Sequence, residues 1–599
     1  MAEQGRLKKR EEIAAKYKWA LEDLYKNAEA WKTDCEAAEE LIKEYGKYQG
    51  RVMESADTFF EVLKLGTKLN MLIEKLYVYA NQKLHEDTAD AKSQTMAGKA
   101  QSLAVKAEGA AAFAEPEILA APEETLKGYM AEERFDEYRQ SIDNLTRSRA
   151  HILTAELEEL LSQVGEFSNS ADDIFSMFNN ADIKFPEIKG EDGEPVAITH
   201  GRYTMLMESA DRRVRKDTFE GLYHTYDKYK NTLAAIYNSS VKKDVFYAKA
   251  RKYNSSLEAA LDGSNIPVSV YDNLIAAVHE SLPVFHRYVA LRKKCLKADE
   301  LHMYDVYAPL VSEVDMKVGF EEAKQIVAAG LAPMGGEYLK ALNEGFAGRW
   351  IDIYENEGKR SGAYSWGAYG THPFVLLNYN GTLDNVFTLA HEMGHALHSY
   401  YSDASQSYDN AGYRIFVAEV ASTCNEALLI RYLLGKTTDR KEKAYLINYF
   451  LEQFKGTLFR QTMFAEFEKK THELVEEGET LNVELLNRLY RELNEMYFGK
   501  DMVIDSEIDL EWARIPHFYS AFYVYQYATG FSAAIALSKR ILELGEEGVK
   551  DYMKFLTGGC SKYPIELLKL AGVDMTSPEP VKDAIKVFDD LIGQLEELL

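Results

Sequence analysis

Residues 388–398 read TLAHEMGHALH, and this stretch decides both the local fold and the chemistry. It holds the pattern His-Glu-x-x-His at His391, Glu392 and His395. On an α-helix, positions i and i+4 lie one above the other, so His391 and His395 present two imidazoles to one point. Two neutral ring nitrogens so placed can grip zinc at about 2.0–2.1 Å. Glu392 sits one residue round the helix, where it reaches a metal-held water without binding the metal, the place of a hydrolase's general base.

The surrounding sequence supplies the helix. Asn378-Tyr379-Asn380-Gly381-Thr382 reads as a turn, with Thr382 as N-cap of a helix from about 383 to 402. Leu383, Val386, Phe387, Leu389, Ala390, Met393, Ala396 and Leu397 follow helical spacing, so most of its circumference is buried. Histidines in such a surface need partners, because unpaired polar groups are costly in a dry interior. The polar run SDASQSYDNAG at 402–412 ends the helix.

A catalytic zinc site requires a third protein ligand. The metzincin solution needs glycine and histidine three and six residues after the second histidine. His398 and Tyr401 stand there instead, so that arrangement fails. Residues 413–431 (YRIFVAEVASTCNEALLIR) read as a second, mostly apolar helix carrying Glu419 and Glu426. Glu419 is read as the third ligand and Glu426 as an outer partner or a structural ion pair. Cys424 turns off the Glu419 face and reads as a small buried hydrophobe, and His398 as packing or an outer partner.

HEMGHALH at 391–398, FVAEVAST at 416–423 and IPHFYSAFYVYQYATG at 515–530 resemble the oligoendopeptidase F branch of the thimet-oligopeptidase family of zinc peptidases. YKWALEDLY at 17–25 and GKRSGAYSWGAYGTHPFVLLNY at 358–379 are similar to the same branch, so the resemblance spans nearly the whole chain. It implies a mainly α, two-lobed peptidase with a deep substrate channel, and endopeptidase action on short unfolded peptides. It places one zinc on His391, His395 and Glu419 and the general base on Glu392. It also implies transition-state donors at His517, Tyr523 and Tyr527. The spacing from His517 to Tyr523 is one residue longer than in the thimet branch, and a third tyrosine of that branch falls near Gly530. Independently, Tyr519, Tyr523 and Tyr527 form an i, i+4, i+8 stripe, and hydroxyl or imidazole donors suit a developing oxyanion.

A chain of 599 residues exceeds one ordinary core and is expected to form at least two lobes. With 13 prolines and long runs of Ala, Leu, Glu and Lys it reads as predominantly helical. Amphipathic helices are expected at 27–48 and 56–84, a GEDG-linked extended pair within 183–207, and helices again from about 209 to 345. Residues 349–354 and 374–377 read as extended, giving a small antiparallel β element beside the zinc helix. Gly362, Gly367 and Gly370 between them would allow close backbone approach or a mobile flap over an extended peptide. Residues 1–200 are expected to form an N-terminal helical region and 201–599 the catalytic zinc peptidase domain.

The net charge of −26 speaks against nucleic acid as partner; it would attract cationic peptides, and a solvated acidic surface accounts for it equally well. MAEQGRLKKREEI lacks the apolar core of a secretory signal, and no apolar run approaches a membrane span. Scattered Cys35, Cys295, Cys424 and Cys560 fit a reducing, cytoplasmic setting. The expectation is therefore a cytoplasmic zinc oligoendopeptidase, against a related zinc carboxypeptidase or a non-catalytic peptide-binding protein.

Overall fold

A computed structural model of the chain describes residues 6–311 and 317–599. The helices used below are α1 (Ala28–Tyr45), α2 (Ala56–Glu86), α3 (Ala91–Ala111), α4 (Val268–Cys295) and α5 (Leu383–Ser405). They continue with α6 (Ile415–Lys436), α7 (Arg440–Gln453), α8 (Arg460–Glu476), α9 (Tyr525–Leu544) and α10 (Glu579–Leu598). The strands are short: β1 (Glu187–Lys189), β2 (Pro195–Ala197), β3 (Leu301–His302), β4 (Ile351–Asp352), β5 (Tyr364–Trp366), β6 (Phe374–Leu376) and β7 (Met502–Val503). The chain is thus mainly α. It divides into two compact units, each assembled from three stretches.

The first unit comprises Met1–Arg149, Met316–Tyr432 and Leu537–Val573. Its α1 and α2 lie within a few residues of the expected limits, and α3 packs against both. Asn27 and Ser55 cap the first two, their side-chain oxygens accepting from the Ala30 and Thr58 amides at 3.0 and 3.1 Å. Trp31, Cys35, Leu76, Ala100 and Leu103 fill the layer between them and share one core with Phe374 and Leu376 of β6.

That core seats a three-stranded sheet in the order β4-β6-β5. β6 lies in the middle and is buried throughout, as its uninterrupted Phe-Val-Leu run requires. β5 pairs with it antiparallel (Tyr364 opposite Leu376, Trp366 opposite Phe374), while β4 joins it in parallel, so the sheet is mixed rather than purely antiparallel. β5 arises inside the glycine-rich segment where the sequence suggested only a loop; three residues are too few to show alternation.

Buried Lys359 fixes the loop before β5, donating to the carbonyls of Tyr354 at 2.8 Å and Leu377 at 2.5 Å and pairing with Asp352 at 2.8 Å. Asp352 is held in turn by Arg10. The last stretch of the unit braces the end of α5: Gln406 donates to the Thr557 carbonyl at 2.7 Å and Cys560 to the Asn410 carbonyl at 2.8 Å.

The second unit comprises Ala150–Asp315, Leu433–Ala536 and Asp574–Leu599. The hairpin β1–β2 forms around the GEDG turn as expected. The helices expected from 209 to 345 are interrupted after α4, where β3 pairs with β7 and a 3-10 turn covers Met303–Asp305. Asp305 accounts for the break: its buried carboxylate accepts from Arg212, Arg215 and the His302 amide, an arrangement that caps a turn. Residues 312–316 of that expectation lie outside the described residues. α7 runs through a π-helical turn (Phe454–Phe459) into α8, and α10 packs on α4 and α7. No helix among the described residues is long and apolar enough to cross a membrane.

Candidate metal centre

Thr382 caps α5, its hydroxyl accepting from the Asn385 amide at 3.3 Å, and the helix runs three residues past its expected end. α6 returns alongside it. Two devices hold the pair close. Buried Asn425 donates to the Ala390 carbonyl at 3.1 Å and accepts from the Tyr338 hydroxyl at 2.9 Å. Gly394, between the two histidines, lets the helix backbones touch: a Cβ there would lie 2.6 Å from the Ser422 Cα and 2.8 Å from the Ala421 carbonyl oxygen.

This approach brings His391, His395 and Glu419 together, the only such ligand group among the described residues. Their facing atoms form a nearly equilateral triangle. His391 Nε2 lies 3.2 Å from His395 Nε2 and 3.3 Å from Glu419 Oε2, and the third side is 3.4 Å. A tetrahedral zinc with bonds of about 2.0–2.1 Å spaces its ligand atoms by roughly 3.3–3.4 Å, so the three residues fit such an ion without rearrangement. The Glu419 side chain is 41% exposed, which leaves the triangle open to solvent on one side.

The ring nitrogens are assigned by their partners. His391 Nδ1 bonds the Glu426 carboxylate, which puts its proton on Nδ1 and leaves the Nε2 lone pair pointing into the triangle. Glu426 is therefore an outer partner of His391. Ser422 Oγ lies 3.2 Å from Glu419 Oε2 and 2.9 Å from the Glu419 carbonyl oxygen, fixing the third carboxylate.

The electrostatics call for a cation at the centre. Burial works against a charge on His391, yet hydrogen bonds to Glu419 and Glu426 outweigh it and bring the imidazole up to about 10. Burial would likewise raise Glu419, but bonds from His391 and His395 hold it well below the usual carboxylate range. A proton or a metal ion satisfies the same demand. Glu392 is buried, and burial raises its carboxyl above the ordinary value despite the neighbouring histidines. Its Oε2 has no hydrogen-bond partner among the described residues, so one carboxylate oxygen is left for a ligand or water.

His398 lies outside the triangle. It stacks on Tyr413 at 3.9 Å with rings 7° apart, and burial drops its pKa to about 3. Cys424 is fully buried beside the core, as a small hydrophobe. Beside α5, cavities open towards each end of β5. One of about 250 Å³ is lined by Gly362, Ala363, Asn378 and Thr388, the other of about 640 Å³ by Trp366, Gly367, Ser399 and Tyr413. Gly362 and Gly370 take φ of +85° and +80°, a region that disfavours side chains.

His517, Tyr523 and Tyr527 belong to the second unit and cluster there. Ring centroids are 6.1 Å apart for His517–Tyr523, 6.0 Å for His517–Tyr527 and 5.5 Å for Tyr523–Tyr527. The Tyr527 hydroxyl lies 3.5 Å from His517 Nε2. The helical stripe through Tyr519 does not exist. Pro516–Tyr519 is a 3-10 turn, Phe522 takes φ of +56°, and α9 starts only at Tyr525. Tyr519 is buried against Phe175 at 4.4 Å, a packing role. Sequence reading passed over Gly394, Ser422 and Asn425; a glycine between two histidines of a glycine-poor helix was the available signal.

Fold and site together define a mainly helical metallohydrolase. A model of peptidase family M3 matches residues 205–587, and one described as oligopeptidase F matches residues 117–185. The chain is 49% identical over 596 residues to oligopeptidase PepF of Bacillus subtilis (strain 168), covering 99% of this chain and 89% of that one. It is 42% identical over 596 residues to an oligoendopeptidase F homolog of Lactococcus lactis subsp. lactis (strain IL1403), covering 99% of each. The solved oligoendopeptidase-F of Enterococcus faecium matches with a TM-score of 0.74 at 39% identity, over 95% of this chain and 99% of that one. The chain belongs to peptidase family M3, a family of metallopeptidases.

Proposed function

We propose that the protein is a zinc-dependent endopeptidase that cuts internal bonds of short, unfolded oligopeptides in the cytoplasm. The observation carrying this reading is the triangle of lone pairs at 3.2–3.4 Å beside a glutamate with an unbonded oxygen. The names of the relatives, oligopeptidase and oligoendopeptidase, support the substrate class.

His391, His395 and Glu419 would hold the zinc, with Glu426 and Ser422 orienting two of the three. Bound zinc lowers the pKa of a water it holds towards ~7 and polarises a carbonyl. Glu392 Oε2 accepts the proton of the attacking water and returns it to the leaving amine. The resemblance to the family assigns His517, Tyr523 and Tyr527 the part of hydrogen-bond donors to the oxyanion. A peptide lying extended along β5 would place side chains towards the two cavities beside α5.

Glu392→Gln is the direct test. It should keep zinc and peptide affinity while abolishing hydrolysis, and retained turnover would remove Glu392 from the base role. A peptide blocked at both ends separates the endopeptidase from a carboxypeptidase, which requires a free C-terminus.

A further inference from the structure

Phe522 stands in the left-handed region, with φ of +56°, immediately before Tyr523. That conformation is costly for a bulky aromatic and persists only where surroundings fix it. The surroundings here are specific. The Phe522 ring is buried against His472 at 4.5 Å and Tyr271 at 5.8 Å. Its amide donates not to the local turn but across to α8, where Glu468 Oε1 accepts at 3.1 Å.

Glu468 is wholly buried and its other oxygen has no hydrogen-bond partner among the described residues. No cation among the described residues pairs with it. The groups around it are Asp244, Tyr237 and Tyr271, with His472 one helical turn on, bonded to the Glu468 carbonyl and to Asp244. Burial raises the carboxyl well above its ordinary value. A methionine would fill the same space without an orphaned oxygen, so this carboxyl is placed for the one bond it makes.

We propose that Glu468 is a positioning residue: its bond to the Phe522 amide holds the left-handed turn that sets Tyr523 against His517 and Tyr527. Without it the amide is a buried orphan, the turn relaxes towards ordinary φ, and the next residue swings away. This rests on the reading above that Tyr523 serves the reaction.

The test uses full-length, zinc-loaded enzyme and an internally quenched peptide blocked at both ends. Glu468→Gln keeps a carbonyl acceptor and should stay within threefold of wild type in kcat. Glu468→Met should lower kcat at least tenfold with KM within twofold, and should speed amide exchange over 520–527 by mass spectrometry while the rest of the chain keeps its protection. In a Tyr523→Phe background the same change should cost less than twofold further. If Glu468→Met does not fold, Glu468→Asp carries the test, because a carboxyl one methylene short cannot reach the amide and should give the same losses. Unchanged exchange over 520–527 overturns the clasp itself. A kcat loss that adds fully to that of Tyr523→Phe overturns positioning through Tyr523. Wild-type activity in Tyr523→Phe alone defeats the reading of Tyr523, and the positioning role with it, while the exchange result still decides whether Glu468 holds the turn.

Discussion

Replacing Gly394 with alanine should damage the metal centre without touching a ligand. The added methyl would stand 2.6 Å from the Ser422 Cα, 2.8 Å from the Ala421 carbonyl oxygen and 2.9 Å from the Ser422 nitrogen. All three are backbone, so no side chain can swing aside. Reaching an ordinary contact of 3.4 Å moves α6 back by about 0.8 Å, the difference from 2.6 Å. Glu419 rides on that helix, and metal sites tolerate distance errors of only about ±0.2 Å.

Alanine favours the helix by about 1 kcal/mol over glycine, whereas overpacking costs about 1–3 kcal/mol, so the balance should be a net loss of up to about 2 kcal/mol. Zinc affinity should fall about 10–100-fold, or about 1.4–2.7 kcal/mol. The assay is competition for zinc against a chromogenic chelator, with melting curves recorded in excess zinc and in chelator. The gap between the two melting temperatures should shrink in the variant. Zinc affinity within twofold of wild type would refute the argument that helix separation sets the ligand triangle.

Other expectations follow from the same geometry. Glu419→Ala should release zinc at moderate chelator concentration, and unchanged metal content would place the third ligand elsewhere. Tyr523→Phe should lower kcat by up to about 10²–10³ with KM little changed, read from steady-state kinetics. His85, buried and hydrogen-bonded between Arg360 and Tyr364, has its pKa lowered by burial and by the Arg360 charge to about 4. The unfolded imidazole takes its proton near pH 6.5 and the folded one only near 4. Its stabilising contribution is therefore present above 6.5 and lost as pH falls between those values, by at most about 3 kcal/mol. Urea midpoints should fall less steeply over that interval in His85→Gln, and identical slopes would assign the pH dependence to other groups.

The metal half-site was legible because helical periodicity alone puts His391 over His395, and an acidic residue on an otherwise apolar α6 has few reasons to be there. Glu426 was ambiguous, since whether it meets His391 Nδ1 depends on how α6 rotates against α5. That rotation is set by Gly394 and Asn425, whose roles appear only when two helices are packed. The cluster at 517–527 was misjudged as a stripe because aromatic spacing looks helical, whereas the backbone reversal at Phe522 is imposed by a carboxyl 54 residues earlier in the chain. β5 escaped notice because its pairing, not its sequence, makes it a strand.

The bracing of α5 by Leu537–Val573 has a consequence for biosynthesis. The segments that carry the candidate ligands leave the ribosome well before the piece that braces them, so the unit containing the centre cannot close until Leu537–Val573 has been made. The brace joins residues 151 apart in the chain, so the frame of the centre rests on non-local contacts and is expected to form late in folding.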